Sequence, residues 1–135
     1  MRKITPLLAI LFFLLFNCSS DDDNASNNSN IQINPPNWIQ GKWLLEDSSL
    51  GEMGWEFTSN DLIIINMSNE ISHRGQLQFY IDAEQEVSTQ EEITSNTYKL
   101  TSNYTAGQTT VYSFTKISET EISWDIIENS TYEKQ

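Results

Sequence analysis

YSFTKISETEISW, residues 112–124, is the stretch from which the fold class follows. Tyr112 and Phe114 alternate with Ser113 and Thr115. Ser118-Glu119-Thr120 then supplies turn residues, and Ile122, Trp124 and Ile126 alternate with Ser123 and Asp125. Successive side chains of a strand point to opposite faces, so this spelling predicts two antiparallel strands, each with one apolar face. A helix would place its apolar residues three and four apart.

The same period extends in both directions. Toward the C-terminus, Thr131–Lys134 reads as a short closing strand. Toward the N-terminus, Tyr98 and Leu100 alternate with Lys99 and Thr101, and Ala106-Gly107-Gln108 marks a turn. Val87–Ile93 reads as a polar strand, and Leu77, Phe79 and Ile81 alternate with Gln78 and Tyr80. Leu62–Met67 (LIIINM) is a continuous apolar run that suits a strand covered on both faces. Trp55 and Phe57 precede it, followed by a turn at Ser59-Asn60-Asp61. Trp43 and Leu45 form the first strand, entered through a short turn at Pro36–Ile39 with Trp38 beside it. The expectation is an all-β domain over residues 38–135, an antiparallel meander of about eight strands closed into a barrel, with an open β-sandwich as the alternative.

Composition narrows the function classes. The chain has a net charge of −12 and four tryptophans. So acidic a balance excludes nucleic acid as a partner, because phosphate binding needs clustered cations. His73 is the sole histidine and sits among polar residues, Ser72, Arg74 and Gly75, so it reads as a surface residue. It has no second histidine or cysteine for a metal site. Glu84, Glu86, Glu91 and Glu92 read as a solvated face, and no nucleophile motif is present. No catalytic residues, metal or cofactor are therefore expected. The in-phase aromatic set Trp43, Trp55, Phe57, Phe79, Tyr112, Phe114 and Trp124 is the expected interior. Trp55, Phe57, Tyr112, Phe114 and Trp124 are the candidate lining of any pocket there.

The N-terminus reads as an address. Arg2 and Lys3 precede the apolar run Ile4–Phe16, which at about 1.5 Å per residue falls short of a ~30 Å bilayer core and so suits an export signal. The run ends at Leu15-Phe16-Asn17-Cys18, and Cys18 is the only cysteine. Removing the signal takes Arg2 and Lys3 with it, lowering the charge from −12 to −14. Residues 18–37 are rich in Ser, Asn and Asp and read as a flexible linker that cannot bury enough surface to order itself.

Two resemblances add to this reading. Leu15–Cys18 resembles a bacterial lipobox, which implies a signal peptide over residues 1–17 and acylation of Cys18. The triplet Asp21, Asp22 and Asp23 just after that cysteine is similar to the tether of Bacteroidetes lipoproteins, implying an outer-membrane, cell-surface location. Gly41-Lys42-Trp43 behind a Pro-led turn is similar to the G-x-W signature of lipocalins. With PPNWIQGKW, GWEFTSND and YSFTKISETEISW, it resembles the small lipocalin-like domains of such lipoproteins. That likeness implies Gly41 and Trp43 as a structural plug of the barrel's closed end. The arginine that stacks on this tryptophan from the last lipocalin strand has no counterpart, since Arg74 lies mid-chain. The expected function is non-enzymatic binding of a small apolar ligand or a protein by a membrane-anchored domain. The alternative is an inhibitor or adhesion module that uses loops or a barrel edge.

Metabolic labelling with a fatty acid should tag the wild-type chain and leave Cys18→Ala untagged. Equal incorporation into both would remove the anchor from the reading.

Overall fold

Alternation becomes sheet along most of the chain. The computed structural model describes residues 31–46 and 48–135; Cys18 and Asp21, Asp22 and Asp23 lie outside the described residues. The strands are β1 (Gly41–Leu45), β2 (Gly54–Phe57), β3 (Leu62–Asn66), β4 (Asn69–Ser72), β5 (Val87–Ile93), β6 (Thr97–Tyr104), β7 (Thr109–Lys116), β8 (Glu121–Trp124) and β9 (Thr131–Lys134). All pair antiparallel in a single nine-stranded sheet of order β4-β3-β2-β1-β9-β8-β7-β6-β5. The described residues are all-β with a single short helix, and the curled sheet forms a half-barrel, consistent with a lipocalin-like meander and not with two packed sheets. The short β4 (NEIS), exposed throughout, is the strand that alternation does not reveal.

Register explains the core. Trp43 lies opposite Trp55 and Lys134, Phe57 opposite Leu62, Tyr98 opposite Phe114, and Phe114 opposite Trp124. Residues opposite one another share a face, so these side chains meet inside the curl. Trp43, Leu62, Tyr98, Leu100, Phe114 and Ile122 are fully enclosed there.

Residues 73–82 depart from the predicted strand. Leu77, Phe79 and Ile81 belong to a helix, α1 (His73–Asp82), whose N-cap Ser72 accepts the Gly75 N–H at 2.8 Å. Asp61 fixes the same end: its Oδ1 accepts the Arg74 N–H at 2.9 Å, and its Oδ2 accepts the Ser72 hydroxyl. His73, Leu77 and Ile81 recur every four residues and face inward. Phe79, expected inside, is 70% exposed on the opposite side. Helix α1 joins β4 to β5 and packs against both. Ile126 is also exposed, because β8 ends at Trp124.

The packed unit begins ahead of Trp38. Of the segment assigned to the linker, Ile33 is fully buried and Ile31 packs on the core. The Gln32 N–H donates to Thr89 Oγ1 at 2.6 Å, and that hydroxyl donates back to the Gln32 carbonyl at 2.7 Å. Asn34 reaches Glu91 Oε1 through its backbone N–H at 2.6 Å, and Tyr98 donates its hydroxyl to the same oxygen at 2.8 Å. Glu91, read as solvated, is therefore a docking point for the entering chain.

At the end of the barrel where β1 begins, Trp43 donates its indole N–H to the Ile39 carbonyl at 2.6 Å. Lys134 of the last strand lies over the ring, its Nζ 4.9 Å from the centroid. A lysine, not an arginine, stands over this tryptophan. Gly41 makes room for it: its φ is +124°, and a Cβ there would meet Lys134 Cε at 3.0 Å. Trp43→Ala should lower the unfolding free energy by about 3–5 kcal/mol, as truncation of a buried aromatic does. Chemical denaturation giving a loss under about 1 kcal/mol would show that the indole does not hold this end together.

Candidate functional site

At the opposite end of β1 the interior is not sealed. A cleft of about 560 Å³ opens where β1, β3 and β8 end and β2 and β9 begin. Leu45, Met53, Trp55, Ile64, Trp124 and Tyr132 line it, with Ile127, Glu128, Asn129 and Ser130 of the β8–β9 connection. Size and apolar walls are those of a small-molecule site. The connections at this end also carry exposed apolar side chains: Leu50 between β1 and β2, Met67 between β3 and β4, and Ile126 and Ile127 between β8 and β9. Phe79 on α1, Ile93 at the end of β5 and Ile117 after β7 are exposed elsewhere on the domain.

Trp55 connects the cleft to the core. Its ring makes edge-to-face contacts with Trp124 at 4.9 Å, Phe114 at 5.1 Å, Tyr112 at 5.8 Å and Tyr132 at 6.2 Å between centroids. The buried indole N–H groups of Trp55 and Trp124 have no hydrogen-bond acceptor. Ser130 steadies the β8–β9 connection, donating its hydroxyl to the carbonyls of Trp124 at 2.9 Å and Ile127 at 2.8 Å.

Of the five residues expected to line a pocket, Trp55 and Trp124 do so. Phe57 and Phe114 are sealed in the core, and Tyr112 is half-buried between Trp55 and His73. Gly41 begins β1 at the far end, and Trp43, the middle residue of β1, does not line the cleft. Sequence reasoning passed over Leu45, Met53 and Tyr132, although each lies beside an apolar strand position. Ile127 and Glu128 stand in a connection where no period exists to single them out.

His73 is not a surface residue. It is 1% exposed, and its Nε2 shares a 2.8 Å hydrogen bond with the enclosed Ser102 hydroxyl, tying α1 to β6. Its ring stands edge-on to Tyr112 at 5.0 Å, and Nδ1 has no hydrogen-bond partner. Burial pulls the imidazole pKa below its ordinary value, outweighing Gln76 and Asp61, which favour the proton. Burial likewise pushes the Tyr98 phenol up, and the neighbouring Glu91 adds to the shift. Among the described residues no group of three or more His, Cys, Asp or Glu side chains is arranged to hold a metal ion, and no helix is long and apolar enough to cross a membrane.

The chain matches no protein-family model, no curated protein and no solved structure.

The buried imidazole makes stability depend on pH with a defined sign. Its folded-state pKa lies below the unfolded value of about 6.5, so the unfolded chain binds more protons between the two. That contribution is fully present above about pH 6.5 and is lost as pH falls toward the folded-state pKa. His73→Gln, which cannot titrate, should flatten the stability profile on the acid side of about pH 6.5. Parallel denaturation series on both proteins check this, and an unchanged wild-type slope in the variant would assign the acid limb to other groups.

Proposed function

We propose that this chain is a lipid-anchored bacterial surface lipoprotein whose lipocalin-like domain is a binding module and not an enzyme. A small apolar molecule occupies the cleft between Leu45, Trp55, Ile64, Trp124 and Tyr132. The observation that carries the reading is the asymmetry of the barrel. One end is closed by Trp43 and Lys134, while the other opens into an apolar cleft of about 560 Å³ under an apolar rim. The anchor rests on the Leu15–Cys18 stretch and the acidic residues that follow it. Several acyl chains on one cysteine would hold the domain firmly, each buried methylene adding about 0.8 kcal/mol. The exposed Leu50, Met67, Ile126 and Ile127 favour a second reading, an inhibitor or adhesion module that meets a protein through these loops.

A neutral apolar dye titrated into the chain from residue 18 onward, carrying Cys18→Ser, separates the two. This form keeps every described residue. Saturable dye binding at micromolar concentration is expected, with quenching of tryptophan emission. The pair Leu45→Asp with Ile127→Asp, both at partly exposed positions, should weaken it by about tenfold or more through loss of apolar contact and a charged lining. A folded protein that shows no saturable change in emission would set the cleft aside and leave the protein partner.

A further inference from the structure

We infer that the cleft selects apolar molecules with a cationic head, a hydrophobic amine or quaternary ammonium, over carboxylates of the same length. This rests on the cleft being a ligand site, as proposed above. The argument is one of charge. Glu128 is the only charged residue lining the cleft, and among the described residues its carboxylate has neither an ion pair nor a hydrogen bond. The polar neighbours Asn66, Asn129 and Ser130 are neutral.

No cation is placed to offset it. Lys42 pairs with Glu52 at 2.6 Å, Lys99 with Glu92 at 2.7 Å and Lys116 with Glu119 at 2.5 Å. Lys134 lies over Trp43, and Arg74 donates from Nε to the Asn60 carbonyl at 2.6 Å. These are all the lysines and arginines of the described residues, and none lines the cleft. A fatty-acid carboxylate brought to the mouth would meet Glu128 with no partner, which costs desolvation and like-charge repulsion. An ammonium head there pairs with Glu128. It also meets a lining that includes the partly exposed Trp124, and indole rings attract cations. The chain's charge of −12 raises the concentration of small cations near the surface in the same sense.

Decyltrimethylammonium, decanoate and decanol share one chain length and differ in head charge, so they test the inference as competitors of the neutral dye, well below micelle formation. At low ionic strength decyltrimethylammonium should displace the dye at a concentration roughly fivefold or more below decanoate, a ratio suited to one partly exposed ion pair. Decanol should fall between them, and molar salt should narrow the ratio by screening. Glu128→Gln, a change at an exposed residue, should remove most of the preference among the three heads, each displacement being scaled to the affinity of that variant for the neutral dye. Displacement by decanoate at equal or lower concentration, or an undiminished preference in Glu128→Gln, overturns the inference while the apolar site stands. Failure of the dye to bind at all overturns both.

Discussion

A curled sheet that does not close leaves two edge strands whose backbone groups need partners, and the rest of this domain is arranged around that constraint. β4 and β5 are those edges, and they lie far apart in the sheet order. Two devices occupy the seam between them. Helix α1 spans from one edge to the other, with Leu77 enclosed and His73 bonded to Ser102. The entering chain runs along β5, exchanging hydrogen bonds with Thr89 and Glu91 and seating Ile33 in the core. The two meet where Arg74 Nη2 approaches the Ile33 carbonyl at 3.4 Å. Asp61 is the pivot, because its carboxylate receives the Ser72 hydroxyl, the Arg74 N–H and the Leu62 N–H together. Seam closure is thus a polar arrangement, whereas the interior it protects is aromatic.

Curvature has its own local cause. At Gly54 a Cβ would lie 2.0 Å from the Trp43 carbonyl oxygen, so β1 and β2 approach more closely there than any side chain permits. Glycine at a strand position of this kind marks a close backbone approach. The next residue, Trp55, is thereby carried to the middle of the curl, where it touches rings from β7, β8 and β9. Edge-to-face packing of several aromatics lets a short domain fill a barrel with few residues, since each ring buries a large area. It also explains why the centre is filled while one end is not. The rings converge on Trp55, and beyond it the shorter Leu45, Ile64 and Met53 leave space.

How far the sequence revealed this depends on whether one period was present. Residues 112–124 were legible because Tyr112, Phe114, Ile122 and Trp124 keep strict alternation around a polar turn, and they form β7 and β8. Leu77 and Ile81 were misread because a spacing of four satisfies both a strand and a helix; only Phe79 distinguishes them, and it faces solvent. Ser72 ahead of His73 carried the missing sign, a cap residue at the start of a helical stretch. Ile31 and Ile33 alternate within a polar tract, but two residues give too little area to announce an ordered segment until Thr89 and Glu91 are seen to receive it. Of the buried aromatics among the described residues, Trp43, Trp55, Phe57 and Phe114 could be named in advance, and Tyr98 and Tyr132 could not. The cleft could not, because it is a deficit of volume between side chains from five strands, and a missing volume has no residue to stand for it.

Trp55 gives the open end and the closed interior a shared fate. It lines the cleft on one side and packs on Phe114 on the other, and Phe114 in turn stacks edge-on to Phe57 at 5.0 Å. A molecule seated against Trp55 therefore covers a surface continuous with the core. Anything that binds the folded chain and not the unfolded one raises stability in proportion to the logarithm of its concentration over its dissociation constant. In this domain that gain would be felt at the aromatic centre and not only at the loops. Trp43, paired opposite Trp55 in the middle of β1, points its indole N–H back toward Ile39 and adds stability beyond the cleft lining. An open end can then carry exposed apolar side chains on its loops, because the sheet beneath is held by rings that do not depend on them.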